Sequence, residues 1–170
     1  MYKIRDKSIL YGITLLGFLL LLFALNKKPR KDWLIVFLLE TLIANFIGNI
    51  VVANKRLVFP IRLFPKAFQS SVLYDNLLLP LMCVFYNQTT YHTKLVGMII
   101  QSFLYSIPMT IIEVILERKT KLIDYKKWNW SYTLFSLSGT FLLSRGLMGF
   151  IRRWSRSQGK EASETGEDHE

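Results

Sequence analysis

Five long apolar runs dominate the chain. They cover residues 9–25, 33–53, 68–86, 95–116 and 132–151, with short polar stretches between them. About 20 helical residues cross a bilayer core of roughly 30 Å, and about 17–25 are tolerated. Strands of a membrane barrel would alternate polar and apolar residues, which these runs do not. Since lipid offers backbone groups no water, each run must form a helix. The pattern predicts an all-α integral membrane helical bundle with five transmembrane helices.

The two ends of the chain differ from this apolar body. Lys3, Arg5 and Lys7 precede the first run, as in a secretory signal peptide, but the following "ALNKKPRK" has no small-x-small cleavage site. We therefore predict a retained helix. The last residues, 157–170, are small, polar and acidic, and cannot bury apolar surface. They are predicted to form a disordered acidic tail after a transmembrane domain of residues 1–156.

The residues that border the apolar runs suit a membrane surface. The chain carries 22 basic and 12 acidic residues, a formal net charge of +10. In a soluble protein this excess would suggest nucleic-acid binding. Here Lys and Arg flank the runs, where they match phospholipid headgroups, so we expect the lipid bilayer as partner and no nucleic acid. Trp33, Tyr125 and Trp128 also lie at run boundaries and are interpreted as interfacial anchors.

Five crossings would place the two termini on opposite membrane faces, here called the N-terminal side and the C-terminal side. The N-terminal side carries somewhat more Lys and Arg in its loops. The positive-inside rule then favours a multi-pass protein of the cell membrane with a cytoplasmic N-terminus and an outside C-terminus. The charges that flank the first run favour the reverse.

Residues for catalysis and metal binding are scarce. The single cysteine, Cys83, cannot form an intrachain disulfide or a thiolate metal site, and neither histidine, His92 nor His169, lies in an apolar run. The sequence contains no H-E-x-x-H motif, P-loop or dinucleotide fingerprint. We therefore predict no metal, no cofactor and no catalytic residue, and expect that the protein is not an enzyme.

Four ionisable residues lie inside the apolar runs, where each costs about 2.5–3.5 kcal/mol at mid-membrane. Their distances from the run ends place Asp75 and Glu113 in the leaflet of the N-terminal side, together with Asn76 and Asn49. These four residues form a candidate intramembrane polar site.

The other two ionisable residues, Glu40 and Arg145, fall at one level in the opposite leaflet. They form a candidate intramembrane ion pair, because pairing lowers the cost of burying both charges.

A proline sharpens the prediction at Asp75. Pro80 has no N–H, so the carbonyl of Asn76 loses its helical partner beside the Asp75 carboxylate. Water, a cation or a neighbouring helix must fill the resulting polar notch. Two interpretations stay open, namely a binding site for a proton, cation or polar solute, and polar contacts that hold helices together.

Several segments carry a family resemblance: "KDWLIVFLLETLIANFIGN", "FPIRLFPKAF", "LYDNLLLPLMCVFYNQTTY" and "IPMTIIEVILERKTKLI". Over residues 31–153 the chain resembles a family of uncharacterised small multi-pass integral membrane proteins of endospore-forming Firmicutes, the Bacillus and Clostridium relatives. The R-L-F-P and Y-N-Q pieces are its most specific parts. The resemblance implies a bacterial plasma membrane and no particular activity.

Two functional hypotheses follow. The first is a structural or interaction subunit of the bacterial plasma membrane, whose partner is another membrane protein or a second copy of the chain. The alternative is a transport-related protein with a proton, cation or polar-solute site near Asp75.

Overall fold

The computed structural model describes residues 2–61, 63 and 70–167. Their secondary structure is almost entirely helical, which confirms the predicted all-α class. The elements, in chain order, are α1 (Tyr2–Leu25), α2 (Arg30–Ala53), β1 (Leu57–Val58), a π-helical turn (Tyr74–Leu78), α3 (Leu79–Thr89), α4 (Leu95–Lys119), β2 (Asp124–Tyr125) and α5 (Trp130–Glu167). The π turn leads directly into α3, and the two together are called the central helix.

Four helices in the described residues are long and apolar enough to cross a membrane. They cover Asp6–Leu25, Arg30–Ala53, Leu95–Lys119 and Trp130–Ser155, with mean hydropathy between 1.4 and 2.4. The fifth predicted run, 68–86, is the exception. Its first two positions lie outside the described residues, and the rest falls in the shorter central helix. The structure thus supports four membrane-crossing helices by length and composition, one fewer than predicted.

The central helix lies in the middle of the bundle and contacts all four long helices. Most of its side chains are buried, which explains its strongly apolar sequence. At its first end Leu73 packs in the same cluster as Leu10 of α1. At its other end the Gln88 amide donates to the carbonyl of Ala24, the last turn of α1, at 2.8 Å. The central helix therefore runs beside α1 for most of the length of α1.

The bundle is apolar outside and buries many polar side chains among its apolar core residues. Large side chains such as Leu42, Ile100 and Phe150 are mostly exposed on its surface. Several polar side chains, including Ser102 and Asn87, are fully buried. A soluble protein would show the opposite distribution, because exposed apolar surface of this extent is unfavourable in water. A lipid solvent accounts for the distribution, since polar side chains then avoid the outer surface.

A short antiparallel sheet of two strands that are distant in sequence closes the N-terminal side of the bundle. Leu57 of β1 pairs with Tyr125 of β2, and Val58 pairs with Asp124. The amides of Lys126 and Lys127 also donate to the carbonyl of Arg56, at 3.1 and 3.2 Å. This β1–β2 sheet connects the loop after α2 to the loop before α5, a pairing that the sequence analysis does not predict.

The predicted disordered tail, residues 157–170, lies partly within the described residues. Helix α5 continues through 157–167, where a disordered tail is predicted. Gln, Lys, Glu and Ala in this segment are good helix formers, so a helix that is already nucleated can extend through it. Residues 168–170, together with 62 and 64–69 of the "FPIRLFPKAF" segment, lie outside the described residues.

Candidate functional site

A cavity of about 100 Å³ inside the bundle brings three buried carboxylates together. Glu40 comes from α2, Asp75 from the π turn and Glu113 from α4, and they are 0, 5 and 7% exposed. The described residues that line the cavity are otherwise apolar or neutral and include no Lys, Arg or His. The interior of the protein therefore holds an acidic cavity.

The π turn fixes the position of Asp75. The amide of Leu79 donates to the carbonyl of Tyr74, five residues earlier, which is the bond that defines a π turn. Pro80 follows directly, and its ring would clash with the Asn76 carbonyl in a regular α-helix. The wider turn relieves this clash and turns both Asp75 and Leu77 into the interior. The predicted notch thus takes the form of a π turn, a feature that is frequent at functional sites.

Asp75 lies directly against α2. A β-carbon built on Gly48 would come within 2.8 Å of Asp75 Oδ2, so the glycine provides the space for the carboxylate. This oxygen is buried and has no hydrogen-bond partner among the described residues.

Asn76 pairs with Asn45, a residue outside the predicted polar site. The Asn45 amide donates to Asn76 Oδ1 at 2.6 Å, and the Asn76 amide donates to Asn45 Oδ1 at 3.4 Å. Asn49 is exposed on the surface of α2 and does not line the cavity, so its assignment to the site is wrong. It follows Glu40 by nine residues, which turns it by roughly 180° to the opposite helix face.

Glu113 accepts hydrogen bonds from a residue of β2 and from a residue of α5. Its Oε1 accepts hydrogen bonds from the Tyr125 hydroxyl at 2.7 Å and from Thr133 Oγ1 at 2.8 Å. The Trp128 indole in turn donates to Thr133 Oγ1 at 2.8 Å. Burial raises the pKa of the Tyr125 hydroxyl, and the neighbouring Glu113 carboxylate raises it further, so Tyr125 stays a donor at neutral pH. Tyr125 and Trp128, predicted as interfacial anchors, therefore also contact the polar interior.

Glu40 is fully buried, and neither carboxylate oxygen has a hydrogen-bond partner among the described residues. Cys83 and Ser144 are the polar side chains nearest to it. Asn87 completes the surroundings by donating to Ser144 Oγ at 3.0 Å. The second carboxylate of the cavity is thus enclosed by neutral groups.

The predicted ion pair between Glu40 and Arg145 does not form. The Arg145 guanidinium donates to the carbonyls of Thr90 and Tyr91, at 3.3 and 3.0 Å, and so caps the end of the central helix. The preceding residue on α5, Ser144, occupies the face next to Glu40, and one residue along a helix turns the side chain by about 100°.

A different ion pair holds this end of the bundle. Arg152 Nε lies 2.7 Å from Asp32 Oδ2, and both side chains are mostly buried. The same guanidinium lies over the Tyr91 ring, 4.4 Å from its centroid, and over the buried Trp33 at 5.8 Å. Trp33 thus packs inside the protein, where the sequence predicts an interfacial anchor. Asp32 escaped prediction because it precedes its apolar run by one residue.

The arrangement at the cavity limits what it can bind. Three of the six carboxylate oxygens have no hydrogen-bond partner among the described residues. A buried carboxylate in this condition is costly unless it takes up a proton or is offset by a cation. No three His, Cys, Asp or Glu side chains in the described part of the chain are placed to hold one metal ion. The unpartnered carboxylate oxygens can therefore take up protons or accept a cation.

A scan of the chain against protein-family models found no match, and neither did searches of the curated proteins and of the solved structures.

Proposed function

We propose that the protein is a transport-related, multi-pass membrane protein that binds protons or a small cation in the acidic cavity. The observation that carries this proposal is the convergence of Glu40, Asp75 and Glu113 on one cavity without a basic residue in its described lining. Carboxylates are expensive in a membrane interior and usually mark ion or proton pathways there.

The extent of the cavity supports a pathway. On α2 its lining runs from Glu40 to Val52, which is roughly 18 Å along the helix at 1.5 Å per residue. Glu40 lies near the middle of α2, whereas Val52 is one residue from its end on the N-terminal side. A cation that enters near the β1–β2 sheet would meet Glu113 and Asp75 before Glu40.

Five crossings remain part of the proposal. The central helix runs beside α1 from Leu73 to Gln88, which supports a fifth crossing although the helix is short. The two termini would then lie on opposite faces of the membrane. The Lys and Arg distribution favours a cytoplasmic N-terminus, and the family resemblance favours the plasma membrane of a Firmicutes bacterium.

The test is a thermal-stability titration of the purified protein in detergent. Na⁺, K⁺, guanidinium and tetramethylammonium would be titrated at several pH values against the wild type, Glu40→Gln and Asp75→Asn. A ligand that binds only the folded state stabilises it by about 2.7 kcal/mol at 100 times its Kd. We expect one of these cations, or a step in pH, to stabilise the wild type and to lose that effect in both variants.

Asp124→Asn is the matched control. It removes a carboxylate outside the cavity, one that is paired with Lys126 at 2.8 Å on the surface. Its cation response should equal that of the wild type. A full response in Asp75→Asn and Glu40→Gln, or no response in the wild type, would reject the cation site. A response retained by the two cavity variants but lost in Asp124→Asn would place the ion on the surface.

A second candidate is the structural or interaction subunit. It is supported by polar bonds between helices, in which Asn45 pairs with Asn76 and Ser106 pairs with Ser138 at 2.7 Å. Such bonds hold membrane helices together and contribute about 0.6–2 kcal/mol each. Under this hypothesis the wild type shows no specific cation response. A membrane-protein partner, or a second copy of the chain, should then be recovered by crosslinking in native membranes.

A further inference from the structure

A second, larger cavity lies on the other side of the bundle. It is a groove of about 540 Å³ between the first turns of α4 and the middle of α5. Pockets for small-molecule ligands typically have about 300–1,000 Å³. The lining of this groove shares no residue with that of the acidic cavity. Its lining residues are Leu95, Met98, Ile99, Leu142, Arg145, Gly146, Gly149, Phe150 and Arg153.

The groove carries positive charge and, in its described lining, no negative charge. Arg145 and Arg153 line it, and no Asp or Glu does so among the described residues. The two arginines are separated by two turns of α5, roughly 12 Å. Nε of Arg145 is buried and has no hydrogen-bond partner among the described residues, although its Nη2 donates to the central helix. The Arg145 guanidinium therefore keeps a donor that its own chain does not use.

The start of α4 adds to this positive charge. Helix α4 begins at Leu95, which lines the groove, and Lys94 before it provides no side-chain cap. The first amides of a helix carry a partial positive charge and favour anions. The groove thus joins two guanidinium groups and one helix N-terminus.

The rest of the groove is apolar and open. Leu142, Ile99 and Phe150 contribute its walls. A β-carbon on Gly146 or Gly149 would meet no atom within 4 Å, so the two glycines leave the groove open along α5. The groove therefore offers basic groups to an anionic group and apolar walls to a hydrocarbon chain.

We propose that this groove binds an anionic phospholipid, with the phosphate between Arg145 and Arg153 and an acyl chain against the apolar walls of Ile99 and Leu142. Arginine recognises phosphate through paired N–H donors, and basic pockets between transmembrane helices bind anionic headgroups. A second copy of the chain fits the groove less well. A symmetric dimer through this face would bring the same arginines of both copies together, which is repulsive.

The test compares two lipids of identical acyl chains on the full chain in detergent. Dioleoyl phosphatidylglycerol should raise the thermal midpoint, and dioleoyl phosphatidylcholine should not. Arg153→Gln should weaken the phosphatidylglycerol effect about fivefold, the loss of one basic contact near a membrane surface. Gly146→Leu should abolish the effect, because the new side chain projects into the groove from a position whose β-carbon meets no atom within 4 Å.

Gly139→Leu is the matched control for the filled groove. Gly139 lies on the same helix and is equally open, but it does not line the groove. This variant should keep the full phosphatidylglycerol effect. Lys31→Gln removes an exposed positive charge from the same side of the membrane and should also keep it.

Several results would overturn the proposal. Equal stabilisation by both lipids would show a detergent-like effect of the acyl chains. A full phosphatidylglycerol effect in Gly146→Leu would place the lipid elsewhere. Native mass spectrometry adds a separate measurement, in which the wild type should retain phosphatidylglycerol and Gly146→Leu should not. A dimer that disappears in Gly146→Leu would instead assign the groove to a second copy of the chain.

Discussion

Gly48 of α2 and Asp75 of the π turn are in direct contact, and a β-carbon on Gly48 would lie 2.8 Å from Asp75 Oδ2. Gly48→Ala should therefore displace the carboxylate or separate the two helices. We expect the free energy of unfolding to fall by about 1–3 kcal/mol, as for overpacked cores. Thermal unfolding in detergent measures the change.

Gly139→Ala is the control for this glycine. It has open space around its β-carbon position, so its stability should be unchanged or rise by up to about 1 kcal/mol from better helix propensity. An equal response of the two variants would show that Asp75 is not confined by Gly48.

Tyr125 should contribute to stability through its bond to Glu113. Tyr125→Phe leaves the buried carboxylate with one hydrogen bond fewer, which should cost about 1–3 kcal/mol. Tyr132→Phe, at an exposed tyrosine of α5, should change stability much less. The ratio of folded to unfolded protein in a denaturant titration provides the measurement. A loss of similar size in both variants would remove the special role of Tyr125.

The same tyrosine should make stability depend on alkaline pH. Its pKa in the folded protein is raised above the unfolded value of about 10 by burial and by the Glu113 carboxylate. Its contribution is therefore complete below about pH 10 and is lost as the pH rises from there toward the folded pKa. Between pH 10 and 12 the wild type should lose more stability than Tyr125→Phe. Parallel pH profiles of the two proteins would contradict this expectation.

Double-mutant cycles should separate the two candidate ion pairs of the C-terminal side. Asp32→Asn combined with Arg152→Gln should show a coupling energy of about 0.5–1 kcal/mol, because the two groups are in contact and partly screened. Glu40→Gln combined with Arg145→Gln should show almost none, since Arg145 bonds to Thr90 and Tyr91 instead. A strong coupling in the second cycle would restore the ion pair predicted from the sequence.

Cysteine labelling tests the fifth crossing directly. In a Cys83→Ala background, Lys55→Cys and Lys94→Cys place single thiols at exposed positions before and after the central helix. A membrane-impermeant maleimide applied to intact cells should label only one of them. Labelling of both from the same side would show that the central helix returns without crossing. Cys83 itself is fully buried and should react slowly in the wild type.

The apolar pattern of the chain was sufficient for the class of fold, because lipid requires long helices. It was also sufficient to predict Asp75 and Glu113 at a similar level, since depth follows from residue count at a fixed rise, and both line the acidic cavity. Depth alone could not give rotation about the helix axis. For that reason the sequence predicts Asn49 in the interior in place of Asn45, and Arg145 next to Glu40.

Long-range pairing was the other missing information. Tyr125 reaches Glu113 only because β2 pairs with β1, and two-residue strands leave no periodic signal. Thr133 looked like an ordinary start of an apolar run. Gly48 offers a clue in the sequence, because two small residues four positions apart, here Ala44 and Gly48, are typical of close packing between membrane helices. What it could not show was that a carboxylate, not a helix backbone, fills the space.

The β1–β2 sheet has a consequence for the order in which the chain assembles. Its strands are separated in sequence by the central helix and α4, so β1 stays unpaired until β2 has been synthesised. Glu113 enters the bilayer with α4, before Tyr125 and Thr133 can bind it. During synthesis this carboxylate must therefore be protonated, hydrated or held by the insertion machinery. The insertion of α5, the last helix to be synthesised, is the step that completes the acidic cavity.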